Sequence, residues 1–330
     1  MIDVVAMGEL LIDFTPGGTN SKGMKMFTQN PGGAPANVLA MNARLGGKTA
    51  FIGKVGQNAF GMFLRDVLKE KGIDTSGLVL DPVTPTTLAF VHLDEKGDRS
   101  FSFYRSPGAD QMLTPKEVAL HLIDNCGVFH FGSVSLTHDP CRRAVFHAVE
   151  YAKKQCKLVS FDPNIRLMLW EDAEDAEDAH AQIERAIKYA DILKVSEEEM
   201  AFLTGTQDLD IGSKRLLDKG AALVLVSLGE QGAYYRNHSS FGHVPAYPVN
   251  TVDTTGAGDA FIGAFLWKTK GMMREELAFM NPVQLKQMVK FANAAGAMTT
   301  TGNGAIPAMP DLEQIQSFMR EKEDVLSCRQ

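Results

Sequence analysis

Leu158-Val-Ser-Phe161, Ile192-Leu-Lys-Val195 and Leu223-Val-Leu-Val226 are three short apolar segments that decide the fold. They follow one another at intervals of roughly 30 residues, about the length of one strand–helix–strand unit. Comparable segments occur earlier in the chain: Val4-Val-Ala-Met7, Ala50-Phe-Ile52 and Val128-Phe-His-Phe131. Because helical patterns separate these segments, they predict a largely parallel sheet. We therefore expect an α/β fold whose central sheet is covered by helices on both faces.

Turn and cap residues mark the expected helix boundaries. Asp139-Pro140 predicts a capping residue and a first-position proline ahead of a helix over Arg143 to Gln155. Gly72 is expected to close a helix over Phe60 to Lys71. The acidic tract from Glu171 to Asp178 is typical of a solvated helix start, where the helix dipole favours negative charge.

One segment departs from the parallel pattern. Thr87-Leu-Ala-Phe-Val-His-Leu93 and Arg99-Ser-Phe-Ser-Phe-Tyr-Arg105 alternate on either side of Asp94-Glu-Lys-Gly-Asp98, which predicts a β-hairpin. A hairpin cannot easily join a parallel sheet, so we expect it to project. Together with the segment from Phe14 to Asn30 it would form a small β lid, over about residues 14–30 and 86–106.

The composition is that of an ordinary globular protein. Of 330 residues, 45% are hydrophobic and 22% are charged, and the formal net charge is −7. Without a run of Lys and Arg, this charge favours a small-molecule partner over nucleic acid or a membrane. No apolar run reaches the roughly 18 residues of a membrane span, and no secretory signal opens the sequence, so a cytoplasmic location is expected. The cysteines lack metal-ligand or paired spacing and are expected to be reduced: Cys126, Cys141, Cys156 and Cys328.

The string Asp253-Thr-Thr-Gly-Ala-Gly-Asp259 stands directly before an apolar helical run. Its small residues allow a ligand to approach the backbone, and the free N–H groups of Gly256, Ala257 and Gly258 would form an anion hole at the helix start. Asp259 would then be a carboxylate able to accept a proton from an attacking hydroxyl. The string alone is equally consistent with a structural glycine turn whose Asp merely supplies a helix N-terminal charge.

The same string matches in full the D-T-x-G-A-G-D signature of the ribokinase-like (PfkB) carbohydrate kinases, which the chain resembles from Gly8 to about Pro310. The resemblance implies a ribokinase-like three-layer α/β/α fold and a single kinase domain over residues 1–330, with the lid inserted in it. It also implies that Asp259 is the base, that the Gly-Ala-Gly amides form the anion hole, and that Asp253 lies near the metal ions. A homodimer through the lid is a further expectation, because bare strand edges tend to pair.

A second match concerns the sugar. Asn30-Pro-Gly32-Gly33-Ala-Pro-Ala-Asn37 is similar to the family's G-G-x-x-x-N signature, with a helix starting near Pro35. Adjacent glycines permit close backbone contact, and an Asn side chain offers donors and an acceptor to hydroxyls. Asp13 ends an apolar strand where open α/β folds bind ligands, and the family's substrate Asp falls at this position. The remaining substrate-binding candidates are Phe103, on the hairpin, and the two guanidinium groups of Arg105 and Arg166.

The nucleotide and ion residues rest mainly on the resemblance. Lys194-Val-Ser196-Glu-Glu-Glu199 occupies the place of the family's N-x-x-E motif, with Ser196 in place of Asn. Glu199 is then expected to organise hydrated magnesium. The other nucleotide candidates are Ser227, Gly229, Gly232, Gly256, Gly258 and Asn293. A potassium site is expected from Asp253, Thr255, Thr299, Gly302 and Gly304.

Individual segments are most similar to those of fructokinases, among them Phe103-Tyr-Arg105-Ser-Pro-Gly-Ala-Asp110 and Phe161-Asp-Pro-Asn164-Ile-Arg166. The expected activity is ATP-dependent phosphorylation of D-fructose to fructose 6-phosphate. The alternatives are another ribokinase-like enzyme, acting on 2-keto-3-deoxygluconate, ribose or a nucleoside, and a catalytically silent sugar-binding protein. An intact Asp259 argues against the silent alternative, since binding alone would not require a base there.

Overall fold

The computed structural model describes residues 1–93, 99–170 and 179–327. The predicted hairpin turn at Asp94–Asp98, the acidic tract at 171–178 and Cys328 lie outside these residues. The strands, numbered in chain order, are β1 (Ile2–Met7), β2 (Leu11–Thr19), β3 (Lys25–Gly32), β4 (Thr49–Gly56), β5 (Asp74–Asp81), β6 (Leu88–Leu93), β7 (Arg99–Tyr104), β8 (Cys126–Gly132), β9 (Leu158–Asp162), β10 (Ile192–Ser196), β11 (Leu223–Ser227), β12 (Ala233–Asn237) and β13 (Phe241–Val244).

The helices, in the same order, are α1 (Ala34–Arg44), α2 (Ala59–Glu70), α3 (Leu120–Asp124), α4 (Cys141–Lys154), α5 (Ala179–Ile187), α6 (Glu197–Thr204), α7 (Leu209–Asp218), α8 (Ala257–Lys268), α9 (Arg274–Ala278), α10 (Pro282–Thr299) and α11 (Leu312–Ser327). Within the described ranges, none of these helices has both the length and the apolar character needed to cross a bilayer.

The central sheet has the strand order β13-β12-β11-β10-β9-β8-β1-β4-β5. From β11 to β5 every neighbouring pair is parallel, which confirms the predicted α/β fold with a mainly parallel sheet. Two antiparallel strands, β12 and β13, extend one edge and were not predicted.

Helices cover both faces of this sheet because successive strand residues point to opposite sides. One face packs against α1, α2, α8, α10 and α11 through residues such as Val4, Phe51, Val128, Ile192 and Leu223. The other face packs against α3 to α7 through the residues that follow them, namely Val5, Ile52, Phe129, Leu193 and Val224. The structure therefore confirms the predicted three-layer α/β/α arrangement.

A second sheet of four strands has the order β3-β2-β6-β7. The predicted hairpin is present, since β6 pairs with β7 antiparallel, with Ala89 opposite Phe103. The predicted contribution of residues 14–30 is present too: β2 pairs antiparallel with β3 and parallel with β6. This sheet is separate from the central one and carries Asp13 and Phe103.

One helix start differs from the prediction. α4 begins at Cys141, with Pro140 at the capping position, and the Asp139 carboxylate does not cap the helix. The carboxylate lies instead beside two arginines of the first turn, 3.4 Å from Arg142 and 3.5 Å from Arg143. The predicted end of α2 is confirmed at Gly72, which has the positive φ of 74° that glycine adopts readily.

Candidate active site

A cavity of 340 Å³ opens at the edge of the central sheet where β1, β9 and β10 end. Open α/β sheets bind ligands at this edge, outside the carboxyl ends of the strands. The predicted residues that line the cavity are Asp13, Gly33, Asn37, Phe103, Arg105, Arg166, Lys194, Thr255, Gly256, Gly258 and Asp259. These residues are far apart in the sequence and were predicted to bind the sugar, to act as the base or to form the anion hole. In the structure they line one cavity.

Asp259 lies in the first turn of α8. The helix starts there because Gly256, at the capping position, adopts the left-handed conformation with φ of 77°. A Cβ on Gly256 would lie 2.4 Å from the Ala305 Cβ, so the position has no room for a side chain. The Ala257 N–H already donates a hydrogen bond of 3.3 Å to the Thr254 carbonyl, which is a long bond.

Asn37 connects the two motifs directly. Its Nδ2 donates to Oδ2 of Asp259 at 2.8 Å across the contact between α1 and α8. The helices approach this closely because Gly263 faces α1, where a Cβ would lie 2.6 Å from the Val38 carbonyl. Asn42 adds a second bond between the helices, to the Gly263 carbonyl at 3.2 Å.

The electrostatic surroundings of Asp259 suit a base. Desolvation raises the pKa of Asp259 to about 6, and the Asn37 hydrogen bond opposes this rise. The neighbouring charge of Asp162 also raises this pKa, whereas Lys194 and Arg166 lower it. A carboxylate with a raised pKa remains ionised at neutral pH and is a stronger proton acceptor than an ordinary Asp.

Asp13 faces the same cavity. Desolvation raises the pKa of Asp13 to about 6, Arg166 lowers it, and the charge of Asp259 raises it. Its carboxylate lies over Gly32, where a Cβ would be only 2.1 Å from Asp13 Oδ2. Gly32 therefore leaves the space that the Asp13 carboxylate occupies.

Lys194 is a buried cation between several carboxylates. Its Nζ lies 2.9 Å from Asp162 Oδ2. It also lies close to Gly258, because a Cβ added there would be 3.1 Å from Nζ. Burial opposes the charge of Lys194, but Asp162, Glu199 and Asp259 outweigh it and raise the pKa of the amine. The cation is therefore held beside the start of α8, at the wall of the cavity.

Glu199 and Ser196 form a capping box at the start of α6. Ser196 Oγ accepts from the Glu199 N–H at 3.1 Å, and Glu199 Oε2 accepts from the Ser196 N–H at 2.8 Å. The other oxygen of Glu199 accepts from the Ile165 N–H at 2.6 Å. Desolvation and the charge of Asp162 raise the pKa of Glu199, whereas Lys194 and the N–H groups of Ser196 and Ile165 lower it.

Arg105 is bound to the protein through all three of its guanidinium nitrogens. Its Nε lies 2.8 Å from Asp110 Oδ2, its Nη1 3.0 Å from Thr137 Oγ1 and its Nη2 3.1 Å from the Val134 carbonyl. Arg105 lines the cavity, yet these hydrogen bonds fix it to the body of the protein. Arg166, in contrast, is exposed and acts electrostatically on both Asp13 and Asp259.

The other nucleotide candidates do not line this cavity. Ser196 and Ser227 lie side by side at the ends of β10 and β11, and Ser227 Oγ donates to the Val195 carbonyl at 3.3 Å. Gly229 has a φ of 56° at the turn that follows β11. Gly232 and Asn293 both contact the end of β13.

At that contact, the Asn293 Nδ2 donates to the carbonyls of Val244 and Pro245 at 3.0 and 3.2 Å. A Cβ on Gly232 would lie 2.2 Å from the Val244 carbonyl. Asn293 stands one turn before Gly296, which packs against Ala257 at the start of α8. Gly296 therefore joins α10, which carries Asn293, to the helix that carries Asp259.

The residues predicted to bind potassium lie close to one another. Asp253 accepts through Oδ1 from the Thr255 N–H at 2.8 Å and through Oδ2 from the Gly304 N–H at 3.0 Å. The backbone N–H of Asp253 also donates to the Thr300 carbonyl at 3.1 Å, which pairs this loop with the end of α10. Thr299 is fully buried there, and its hydroxyl donates to the Ala295 carbonyl at 2.8 Å. Gly302 follows in the same loop.

Sequence reasoning assigned no role to three polar residues at the site. Asp162 is 3% exposed and its Oδ1 has no hydrogen-bond partner within the described ranges. Glu9 and Asn164 line the cavity. The expectation that Asp13 ends an apolar strand was wrong, because Asp13 is the third residue of β2 in the second sheet. A polar residue at the end of an apolar strand instead describes Glu9, just after β1, and Asp162, at the end of β9.

The site combines a buried carboxylate with a raised pKa, a glycine-containing helix start and a polar cavity at the carboxyl edge of a three-layer α/β fold, an arrangement that suits a carbohydrate kinase. The model of the pfkB family of carbohydrate kinases matches residues 1–312, and the chain belongs to this family.

Individual relatives are similar over almost the whole chain. Fructokinase-2 of Solanum lycopersicum is 44% identical over 320 residues, covering 96% of this chain and 96% of that protein. A fructokinase from Xylella fastidiosa, solved with bound ATP, has a TM-score of 0.89 at 32% identity and covers 98% of this chain and 100% of its own. A double mutant of Vibrio cholerae O395 fructokinase, solved with fructose, ADP and potassium, has a TM-score of 0.84 at 35% identity, with 96% and 98% covered.

Proposed function

We propose that this carbohydrate kinase transfers the γ-phosphoryl group of ATP to the primary C6 hydroxyl of D-fructose, giving fructose 6-phosphate. The observation that supports this most is the shared cavity of Asp13, Asn37 and Asp259, with Asn37 bonded to Asp259 at 2.8 Å. The relatives named fructokinase supply the choice of sugar.

Each residue of the sugar side has a distinct role in the proposal. Asp259 accepts the proton of the attacking hydroxyl, and Asn37 orients the carboxylate that does so. Asp13 accepts hydrogen bonds from further hydroxyls, Gly32 leaves the room that the Asp13 carboxylate needs, and Gly33 lets the sugar approach the backbone. Phe103 contacts the sugar from the second sheet.

The charge that develops on the transferring group is met at the start of α8. The N–H groups of Gly256 and Gly258, which line the cavity, would bind it, aided by the positive end of the helix dipole. The Ala257 N–H would join them by giving up its long bond to the Thr254 carbonyl. Lys194 adds a fixed positive charge beside Gly258, and Arg166 adds an exposed one. The Arg105 guanidinium, which is hydrogen-bonded to Asp110, Thr137 and Val134, forms part of the cavity wall on one side of the sugar site.

The nucleotide lies on the other side of α8 in this proposal, along Ser196, Ser227, Gly229, Gly232 and Asn293. Magnesium would be held mainly by its own waters and by the phosphates, since the described residues contain no cluster of three acidic, His or Cys side chains that could ligate it directly. Glu199 would hold it through water. When bound, magnesium neutralises phosphate charge during transfer.

A potassium ion fits the loop of Asp253 and Thr255 against Thr299, Gly302 and Gly304, since this loop offers carbonyl and carboxylate oxygens close to the start of α8. We expect turnover in potassium chloride to exceed turnover in choline chloride by roughly 5–150-fold, the usual range for one coupled site. Asp253→Asn should reduce this ratio. Equal rates in the two salts would remove potassium from the account.

The pH dependence of kcat/KM follows from the two carboxylates whose pKa is raised to about 6. Asp259 must be ionised to accept the proton, and Asp13 must be ionised to accept hydrogen bonds through both oxygens, so kcat/KM should be level above that pH and fall below it, by about tenfold per unit for each group. A profile of initial rates from pH 5 to pH 8 checks this. Asp13→Asn should make the acid limb shallower, and a flat profile down to pH 5 would contradict the assignment of Asp259.

The sugar is tested by a coupled assay of ADP release with fructose, ribose, mannose, 2-keto-3-deoxygluconate and adenosine. We expect the highest kcat/KM for fructose, by at least about tenfold, since a site built around a ligand's hydroxyls rejects ligands that leave its polar groups unpaired. A different best substrate would overturn the choice of sugar and leave the family assignment unchanged. No ADP release with any of them would favour a sugar-binding protein.

We also propose that the second sheet is a lid that excludes water from the cavity and pairs two chains into a homodimer. Phe14 and Phe90 stack at 4.8 Å, and Phe27 and Tyr104 each pack edge-on against Phe90 at 5.5 Å. Phe27 is 42% exposed and Tyr104 67% exposed. Exposed apolar clusters of this kind mark interaction surfaces.

Light scattering at micromolar concentration should therefore give the mass of a dimer. Phe27→Glu should weaken dimerisation by about 30-fold or more, because it puts a charge in an apolar interface. Phe279→Glu is the matched control, since Phe279 is a comparably exposed aromatic, at 68%, on another part of the chain. A monomeric mass for the unaltered protein would contradict the proposal.

A further inference from the structure

Glu9 is a buried carboxyl group at the sugar cavity that the proposed mechanism does not use. It follows β1, is 4% exposed, and lines the cavity with Asp13 and Asn37. A carboxyl group in such a position needs partners, since burying a charge without them is costly.

The two carboxyl oxygens of Glu9 differ in their surroundings. Oε1 accepts a hydrogen bond of 2.9 Å from the N–H of Ala34, the first residue of α1. The turn before it also fits closely against Glu9, because Gly33 has a φ of 116° and a Cβ there would lie 2.4 Å from the Glu9 carbonyl. Oε2, by contrast, has no hydrogen-bond partner within residues 1–93, 99–170 and 179–327.

The charges near Glu9 do not satisfy Oε2. The nearby cation, Arg105, is bonded to Asp110, Thr137 and the Val134 carbonyl. Burial raises the pKa of Glu9 to about 7, the N–H groups of Glu9 and Ala34 lower it, Asp110 raises it and Arg105 lowers it. The site thus holds one anchored oxygen and one unpartnered oxygen at the wall of a cavity built for hydroxyl groups.

We propose that Glu9 is a specificity-determining residue of the sugar site, with Oε1 holding the start of α1 and Oε2 accepting a hydrogen bond from one hydroxyl of the bound sugar. This inference rests on the proposed function, because it takes the cavity to be the sugar site. The ligand that it selects is a neutral polyhydroxy sugar with a hydroxyl, other than the one phosphorylated, directed at the wall between β1 and α1.

Glu9→Gln distinguishes the role of Oε2 from that of Oε1. The amide oxygen can still accept from the Ala34 N–H, and an NH₂ group, which cannot accept, replaces Oε2. The test measures kcat/KM of the full-length protein and of this variant with fructose and with each monodeoxy fructose that keeps the C6 hydroxyl. Glu117→Gln is the matched control, since Glu117 also accepts from a backbone N–H, that of Thr114 at 2.8 Å, and lies outside the cavity lining.

The assay is run at pH 8, where a carboxyl group with a pKa of about 7 is mostly ionised. For one analogue, the unaltered protein should then lose about 10–100-fold in kcat/KM, the effect of one hydrogen bond to a charged group. The Gln variant should lose less than about threefold with the same analogue, because the partner of that hydroxyl is already gone. The Glu117→Gln control should retain the full loss. Equal losses for the unaltered protein and for Glu9→Gln with every analogue would overturn the role of Glu9.

A second variant and a second set of substrates cover the cases in which the first comparison cannot be made. If Glu9→Gln fails to fold, as judged by its thermal melt, Glu9→Met is compared in its place, since a thioether of similar length buries no charge. If the unaltered protein does not phosphorylate fructose, the proposed choice of sugar fails, and the same comparison is made with deoxy analogues of the sugar that it does phosphorylate.

Discussion

Asp259→Asn should lower kcat by about 10²–10⁴-fold, the usual contribution of a general base, with little change in the affinity for sugar. The substitution keeps the size of the side chain and an acceptor for the Asn37 amide, which lies 2.8 Å from Oδ2. It removes only the ability to take a proton. Turnover is measured by ADP release and sugar affinity by calorimetry.

The matched control for this variant is Glu313→Gln. Glu313 is an exposed acidic residue in the first turn of α11, so it shares with Asp259 its favourable interaction with a helix dipole but not its cavity. If Asp259 were only a helix-start charge, both variants would change stability slightly and neither would change turnover. Near-normal turnover of Asp259→Asn would therefore restore the structural interpretation of the glycine turn.

Gly32→Ala should lower kcat/KM by about 10²-fold, because a displacement of about 1 Å at a substrate-positioning group costs this much. The new Cβ would lie 2.1 Å from Asp13 Oδ2, so the carboxylate must move. The loss should fall mainly on the KM for sugar, and steady-state kinetics with each substrate varied in turn would show it.

Gly17→Ala is the control for this prediction. Gly17 lies in β2 of the same sheet, and a Cβ there would lie 3.2 Å from Thr28 Oγ1, a contact that a small shift relieves. Its kinetics should be close to those of the unaltered protein. If Gly32→Ala were equally mild, Asp13 would not be held over Gly32 in the working enzyme.

The motifs at Asp259 and Asn37 could be recognised from sequence because each has its own residue pattern. Their direct hydrogen bond could not, since it depends on the close packing of α1 against α8 at Gly263. The pairing of Asp162 with Lys194 depends similarly on β9 and β10 being neighbours in the sheet. The sequence places the two residues on different strands without giving the strand order.

Two other features show where a sequence pattern has more than one meaning. Ser196-Glu-Glu-Glu199 fits both a family metal motif and the capping-box pattern, and the structure contains the hydrogen bonds of the capping box. Arg105, expected to contact the substrate, lines the cavity just after β7, where its guanidinium group is bonded to the protein. Strand alternation did not predict Asp110, which is brought back to the guanidinium by the turn after Ser106.

The central claim is tested most directly by identifying the product that forms from ATP and uniformly carbon-labelled fructose. Carbon NMR should show phosphorus coupling at C6 of the sugar, with ADP formed in equal amount, and the Asp259→Asn variant should form this product about 10²–10⁴-fold more slowly. Product phosphorylated at another carbon, or the same rate from Asp259→Asn, would contradict the account.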